Sequence, residues 1–153
     1  MSNSSIAHAA LDPGRMIVLP LKPRFAEAIL AGAKTVELRR SEPKIVVPTR
    51  ALIYATSPVR ALVGTCIVTS VVSERLAALW REFGPRTGIN HQEFLNYFEG
   101  VEKGTALTLA DPASLPQPIP LTRLRETSPG FRPPQSFAYV DTRTGDELLR
   151  LAA

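Results

Sequence analysis

Across Gly32 the hydrophobic period of the chain changes from 3.6 to 2, and this switch constrains the fold more than any other single feature. Before it, Phe25, Ala26, Ile29 and Leu30 make one apolar face of a helix, with Pro23 in its first turn. Gly32 then stands where a helix needs a left-handed C-terminal residue, a conformation glycine adopts without steric cost. From Thr35 the side chains alternate, so that Val36 and Leu38 point one way and Thr35, Glu37 and Arg39 the other. The stretch Gly32-Ala-Lys-Thr-Val-Glu-Leu-Arg-Arg40 therefore predicts a helix end, a turn carrying Lys34, and a strand with one core face and one charged face. Two readings of the charged face stay open. It is a solvated surface with a Glu37–Arg39 pair of little energetic worth, or it is a carboxylate set between cations to orient a planar polar ligand such as a nucleobase.

The rest of the chain alternates strands with sharp turns, the pattern of a small barrel. Met16–Leu21 reads as a first strand, in which Pro20 marks an edge or an end. Arg50–Ala55 is a compact apolar strand running into the turn Thr56-Ser-Pro-Val-Arg60. Ala61–Val72 is a long β-branched run in which Gly64 predicts a bulge or a barrel corner. Residues 73–83 return to helical spacing, with Ser73 as N-cap and Leu76, Leu79, Trp80 and Phe83 on the inner stripe; Trp80 is thus a core residue, not a base-stacking platform. Asn90 and Glu93 form a capping box for a further helix that carries Phe94, Leu95 and Phe98 inward and ends at Gly100, with His91 on its exposed first turn. Thr105–Ala110 is another strand, after which Pro112, Pro116, Pro118 and Pro120 punctuate the chain. Gln135 and Ser136 lead into a final aromatic strand, and the segment after Asp141 is a short hairpin arm or a helix.

At 153 residues with 44% apolar content, the chain is expected to be one domain over residues 15–153, preceded by a flexible tail over residues 1–14. Neither a leader peptide nor a membrane-length apolar run is legible, and a cytoplasmic protein is expected. Cys66, the one cysteine, lies in an apolar run and reads as a small buried hydrophobe. A net charge of +4 and a pI near 9.6 suit an anionic partner. Two histidines and one cysteine build no zinc site, the nine glycines form no phosphate loop, and no histidine stands where a Ser-His-Asp triad needs one. No cofactor and no metal are expected, which leaves lysine, glutamate, arginine, tyrosine and serine to carry any chemistry.

Gly32, Lys34, Glu37 and Arg39 resemble the G-x-K-x-x-E-x-R signature of ASCH domains, members of the PUA-like superfamily of small RNA-associated β-barrels. Lys22-Pro23, Tyr54-Ala-Thr-Ser-Pro58 with a basic residue at Arg60, Gly64, and Pro134-Gln-Ser136 agree with that resemblance, which spans about residues 16–140. It implies an α+β fold: a PUA-like, partly open mixed β-barrel of five or six strands with two or three helices packed on it. It also implies a cleft where the signature strand meets the Tyr54 turn and the Gln135–Ser136 strand. The implied partner is RNA or a nucleotide-like small molecule, and the oligomeric state, monomer or weak dimer, stays open.

Within the resemblance several activities compete. The one that suits these residues is a metal-independent ribonuclease, with Lys34 or Glu37 as base, Arg60 and Arg39 on phosphate, and Tyr54 or Ser136 as hydrogen-bond or acid groups. Lys22, Lys34, Arg39, Arg40, Ser57, Arg60 and Gln135 are the expected nucleic-acid contacts. The alternatives are a non-catalytic reader of RNA or nucleotides, an amidohydrolase acting on acetylated cytidine, and a protein–protein adaptor in transcription or translation. The hydrolase members carry a threonine three residues after the lysine, where this chain has Glu37.

Overall fold

A computed structural model describes residues 11–152; residues 1–10, most of the expected tail, lie outside the described part. The sequence folds into one mixed sheet of strands β1 (Arg15–Leu21), β2 (Val36–Arg39), β3 (Thr49–Ala55), β4 (Ala61–Arg75), β5 (Lys103–Pro120) and β6 (Ala138–Asp141). The strand order is β2-β5-β4-β3-β1-β6. Only β1 and β3 run parallel; every other pair is antiparallel. The α+β class and barrel-like curl are as expected, but the sheet is not closed by backbone pairing: β2 and β6 are its two ends.

Five α-helices pack on the sheet among the described residues, where two or three were expected: α1 (Pro23–Leu30), α2 (Leu76–Phe83), α3 (His91–Tyr97), α4 (Leu121–Thr127) and α5 (Thr142–Arg150). They divide the core into three clusters. Under α1, Ala26 and Ile29 meet Ile17, Leu19, Ile53, Cys66, Val68 and Leu107. On the other face of the same strands, Val18, Leu52, Tyr54, Leu62 and Ile119 pack beneath α4 and α5 through Leu121, Leu124 and Leu148. A third cluster joins Val36, Leu38 and Ala106 to Leu79, Phe83, Phe94 and Phe98 of the α2–α3 region. Leu95, expected to point inward, is instead 45% exposed, because the apolar stripe of α3 is only wide enough for Phe94 and Phe98.

Two further expectations are corrected. Ser73 does not cap a helix: β4 continues through Arg75, paired with Lys103, Gly104 and Thr105 of β5, and α2 begins at Leu76 with Arg75 as its N-cap. The proline-rich stretch after Ala110 does not leave the sheet but extends β5 to Pro120, still paired with β4 at Ala61. Beyond Thr108 the outer side of β5 has no strand partner among the described residues, since β2 pairs only with Thr105–Thr108. The Leu121 N–H reaches back to the Arg60 carbonyl at 3.0 Å. By alternation, Pro120 and Pro118 turn their missing donors to that open side, where none is needed.

Gly64 marks the predicted bulge, since the registers of β3 with β4 and of β4 with β5 both shift beside it. A Cβ there would lie 2.5 Å from Leu30 Cδ2 and 2.7 Å from the Ala113 carbonyl oxygen. Gly64→Ala is therefore expected to cost about 1–3 kcal/mol through forced displacement of backbone. A urea midpoint equal to wild type would mean that the bulge is freely deformable.

Candidate functional site

Gly32, at φ +80°, ends α1 as its sequence requires, and the chain doubles back so that Ala33 and Lys34 both donate backbone N–H bonds to the Ala28 carbonyl. Thr35 is then held on two sides: its N–H donates to Arg86, and its carbonyl accepts from Leu109. This fixes the start of β2 against the 84–90 loop. Gly88, at φ +75°, lies against the Lys34 stem, where a Cβ would come within 3.4 Å of Lys34 Cβ. The Lys34 side chain is 3% exposed as a result.

Its three ammonium donors all have acceptors. Nζ donates to the Val36 carbonyl at 2.8 Å and to the Thr87 carbonyl, and stands 3.3 Å from Glu37 Oε1. Glu37 in turn offers Oε2 to Arg39 at 2.9 Å, so one buried carboxylate is shared by two buried cations. Burial pushes the Lys34 pKa below its ordinary value of 10.5, with the Glu37 charge and hydrogen bond pulling the other way. The alternation of β2 was thus read correctly, but its charged face is not solvent: Glu37 and Arg39 point into the concave side of the sheet. Glu37 pairs in register with Leu107, which belongs to the cluster under α1.

Arg39 uses this position to span the open sheet. Its Nη1 donates to the Ser136 carbonyl at 2.5 Å, just ahead of β6, and its Nη2 donates to the Pro20 carbonyl at 2.8 Å. Pro20 is available because β6 pairs with β1 only as far as Val18. The proline therefore marks the end of one pairing in an internal strand, not an edge strand.

Lys34 and Glu37 line an open cleft of ≈ 360 Å³ between α1 and α3. Lys22 and Arg24 bring further positive charge, Phe25 and Tyr97 supply aromatic surface, and Asn96 an amide. Arg24 stacks 4.3 Å over the Phe25 ring and bonds Glu93 at 2.7 Å. That bond from Arg24, with one from the Asn90 backbone, holds the Glu93 carboxyl below its usual range. The sequence gives no sign of Arg24, Asn96 and Tyr97 as site residues, and Phe25 reads there only as part of a helix's apolar face. The available signal was that Phe25 sits at the rim of its helix's apolar face, next to a cation and behind Pro23.

The other expected residues lie elsewhere. Tyr54 is 2% exposed and points to the opposite face of the sheet, among Leu62, Ile119 and Leu124, with its ring 6.4 Å from Phe131. Burial raises its pKa, against the charges of Arg60 and Arg125. Arg60 closes the Thr56 turn at φ +54° and is exposed, as are Ser57, Gln135 and Ser136. Ser136 joins the Lys34–Glu37–Arg39 chain through its backbone, not its hydroxyl. Arg40 turns away and donates to the Tyr97 and Glu99 carbonyls at 2.9 and 2.8 Å, which makes it a brace for the end of α3. Cys66 is buried and its thiol is pushed up to about 12 by that burial, so it is inert as a nucleophile. Among the described residues no three His, Cys, Asp or Glu side chains come together as metal ligands, and no helix is long and apolar enough to cross a membrane.

Comparison with known proteins adds to this geometry. The family model described as ASCH domain matches residues 19–112. A Zymomonas mobilis protein named ASCH domain-containing ribonuclease is 37% identical over 136 residues, which cover 89% of this chain and 91% of the relative. The crystal structure of ASCH from Zymomonas mobilis superposes with a TM-score of 0.84 at 37% identity, covering 89% of this chain and 94% of that one. Serine-to-alanine and tyrosine-to-phenylalanine variants from the same organism superpose with TM-scores of 0.84 and 0.85. Human THYN1, solved with DNA containing 5-methylcytosine, shares the fold at a TM-score of 0.57 and 12% identity.

Proposed function

The chain belongs to the ASCH domain family, and from that premise we propose that it is a cytoplasmic, metal-independent ribonuclease acting on single-stranded RNA. The observation that carries the reading is a buried Lys34–Glu37 pair on the floor of a cation-rimmed, aromatic-walled cleft, in a chain 37% identical to a protein named as a ribonuclease. The cleft has room for a nucleoside, and Lys22 and Arg24 stand where its phosphates would leave. Tyr54 pairs in register with Pro20, the residue whose carbonyl Arg39 holds, and its ring occupies the opposite face there.

In this reading the RNA 2′-oxygen attacks the adjacent phosphorus and the bond to the 5′-oxygen breaks, leaving a 2′,3′-cyclic phosphate and a free 5′-hydroxyl. The 2′-hydroxyl proton passes to the Lys34–Glu37 pair. Arg60, beside Tyr54, offsets the charge on phosphorus, and the exposed Ser136 hydroxyl serves the leaving oxygen. A serine hydroxyl is of the kind removed in one solved variant of the Zymomonas mobilis protein.

The test is incubation of the purified protein with labelled single-stranded RNA in the presence of chelator, and in parallel with acetylated cytidine. Cyclic-phosphate ends are expected with chelator present, and binding should weaken with salt at a log–log slope near −0.7 per phosphate neutralised. Arg60→Ala should flatten that slope. Loss of cleavage on chelation would remove the metal-independent mechanism, and acetate release without RNA cleavage would make the protein an amidohydrolase. A second reading, a reader without chemistry, is favoured by one observation: all three Lys34 donors are already engaged with the protein. Salt-sensitive RNA binding with no cleavage would establish it.

A further inference from the structure

Arg39 was expected to grip phosphate. Its surroundings argue otherwise: the side chain is 7% exposed, its charge is met by Glu37 at 2.9 Å, and it does not line the cleft. Instead it makes two backbone contacts that no other described side chain makes together. One is to Pro20, on the strand that carries Tyr54's register partner, and the other is to Ser136, in a segment with neither helix nor strand of its own until Ala138. Ser136 is exposed and its neighbours Pro133 and Pro134 stiffen the approach, but among the hydrogen bonds of the described residues only Arg39 holds the 132–137 backbone to the signature strand.

We infer that Arg39 is a positioning residue: its guanidinium, oriented by Glu37, joins the two ends of the open sheet and fixes the Ser136 segment against the signature strand. The inference deepens the proposed ribonuclease reading and rests on it for the activity arm of its test. Charge alone is insufficient for this work. A planar guanidinium reaches two carbonyls and a carboxylate at fixed angles, whereas an ammonium on a flexible stem reaches them only by giving up that geometry. Lys34 and Glu37 are, in these terms, the supports of the same tether as well as groups of the cleft.

The test is a double-mutant cycle with Arg39→Lys and Ser136→Ala, reading kcat, KM and the salt dependence of RNA binding. Arg39→Lys is expected to lower kcat at least tenfold with KM and salt slope unchanged, and to add little further loss in the Ser136→Ala background. Backbone 15N relaxation order parameters of Gln135, Ser136 and Phe137 should fall in Arg39→Lys while those of β4 and β5 stay as in wild type. Because Arg39→Lys loads a buried site, Pro134→Gly is the second variant: it loosens the same segment without touching Arg39, and the same fall in kcat at constant KM is expected. Independent, multiplying effects in the cycle would overturn the inference, as would a salt slope flattened in Arg39→Lys by one phosphate's worth, which would make Arg39 a phosphate ligand. If wild-type protein proves a non-cleaving reader, the relaxation measurement still decides the tether: unchanged order parameters at Gln135, Ser136 and Phe137 in Arg39→Lys would refute it.

Discussion

Glu37→Gln is expected to be the most damaging substitution in the site, with a loss of about 3–5 kcal/mol in folding stability. Lys34 and Arg39 have side chains only 3% and 7% exposed, and both are paired to the one Glu37 carboxylate. Glutamine keeps the shape but removes the counter-charge, leaving two desolvated cations within reach of each other and of an amide that can satisfy neither fully. Partial compensation is available to Lys34, which can lose its proton, but not to an arginine. Urea unfolding at neutral pH should therefore show a lowered midpoint with an unchanged slope. A loss under about 1 kcal/mol would mean that water reaches the pair and that Glu37 is not a buried counter-charge to Lys34 and Arg39.

Lys34→Met should have the second-largest effect, on rate and on pH dependence. Methionine preserves much of the apolar stem against Phe25 and Gly88 but gives up every bond of Nζ. Under the ribonuclease reading the rate should fall at least about a hundredfold, the range usual for a lost general base or transition-state donor. The stability signature does not depend on activity. Burial holds the Lys34 pKa below 10.5, against the pull of Glu37. Between that lowered value and 10.5 the unfolded chain therefore carries more protons than the folded one, and stability rises with pH across the interval. Below it the penalty for burying the ammonium is fully present. The difference in unfolding free energy between wild type and Lys34→Met should consequently change with alkaline pH in wild type's favour. A flat difference from neutral pH to 10.5 would show that Lys34 is not desolvated.

The parts of this molecule legible in its sequence were those set by local rules. The Gly32 turn, the alternation of Val36 and Leu38 against Glu37 and Arg39, the Asn90–Glu93 capping box and the Gly64 bulge all follow from neighbours within a few residues. What stayed hidden depended on distant partners. Ser73 offers a good cap, but strand pairing with Thr105 outweighs it, and its hydroxyl meets Thr105 Oγ1 at 2.8 Å instead. Leu95 fits a helical stripe on paper, yet the groove beside α3 is filled by Phe94 and Phe98. The signature residues were identifiable as a set; that Glu37 and Arg39 are buried, and that Arg39 answers to the Ser136 carbonyl 97 positions away, is a product of sheet curvature that no local pattern encodes. Tyr54 shows the reverse limit, since one step of strand parity decides which face a side chain occupies.

The open side of β5 has one more consequence. An 18-residue strand unpartnered over much of its outer side is a template on which a second chain could build, and extended strands of that kind seed fibrils. Here Pro118 and Pro120 withhold their donors from that side, and exposed Asp111, at φ +50°, breaks the extended line ahead of them. A foreign strand laid there would find carbonyls without matching N–H groups. The prolines that disguised this strand in the sequence are thus what allows it to be long and solitary without recruiting copies of itself.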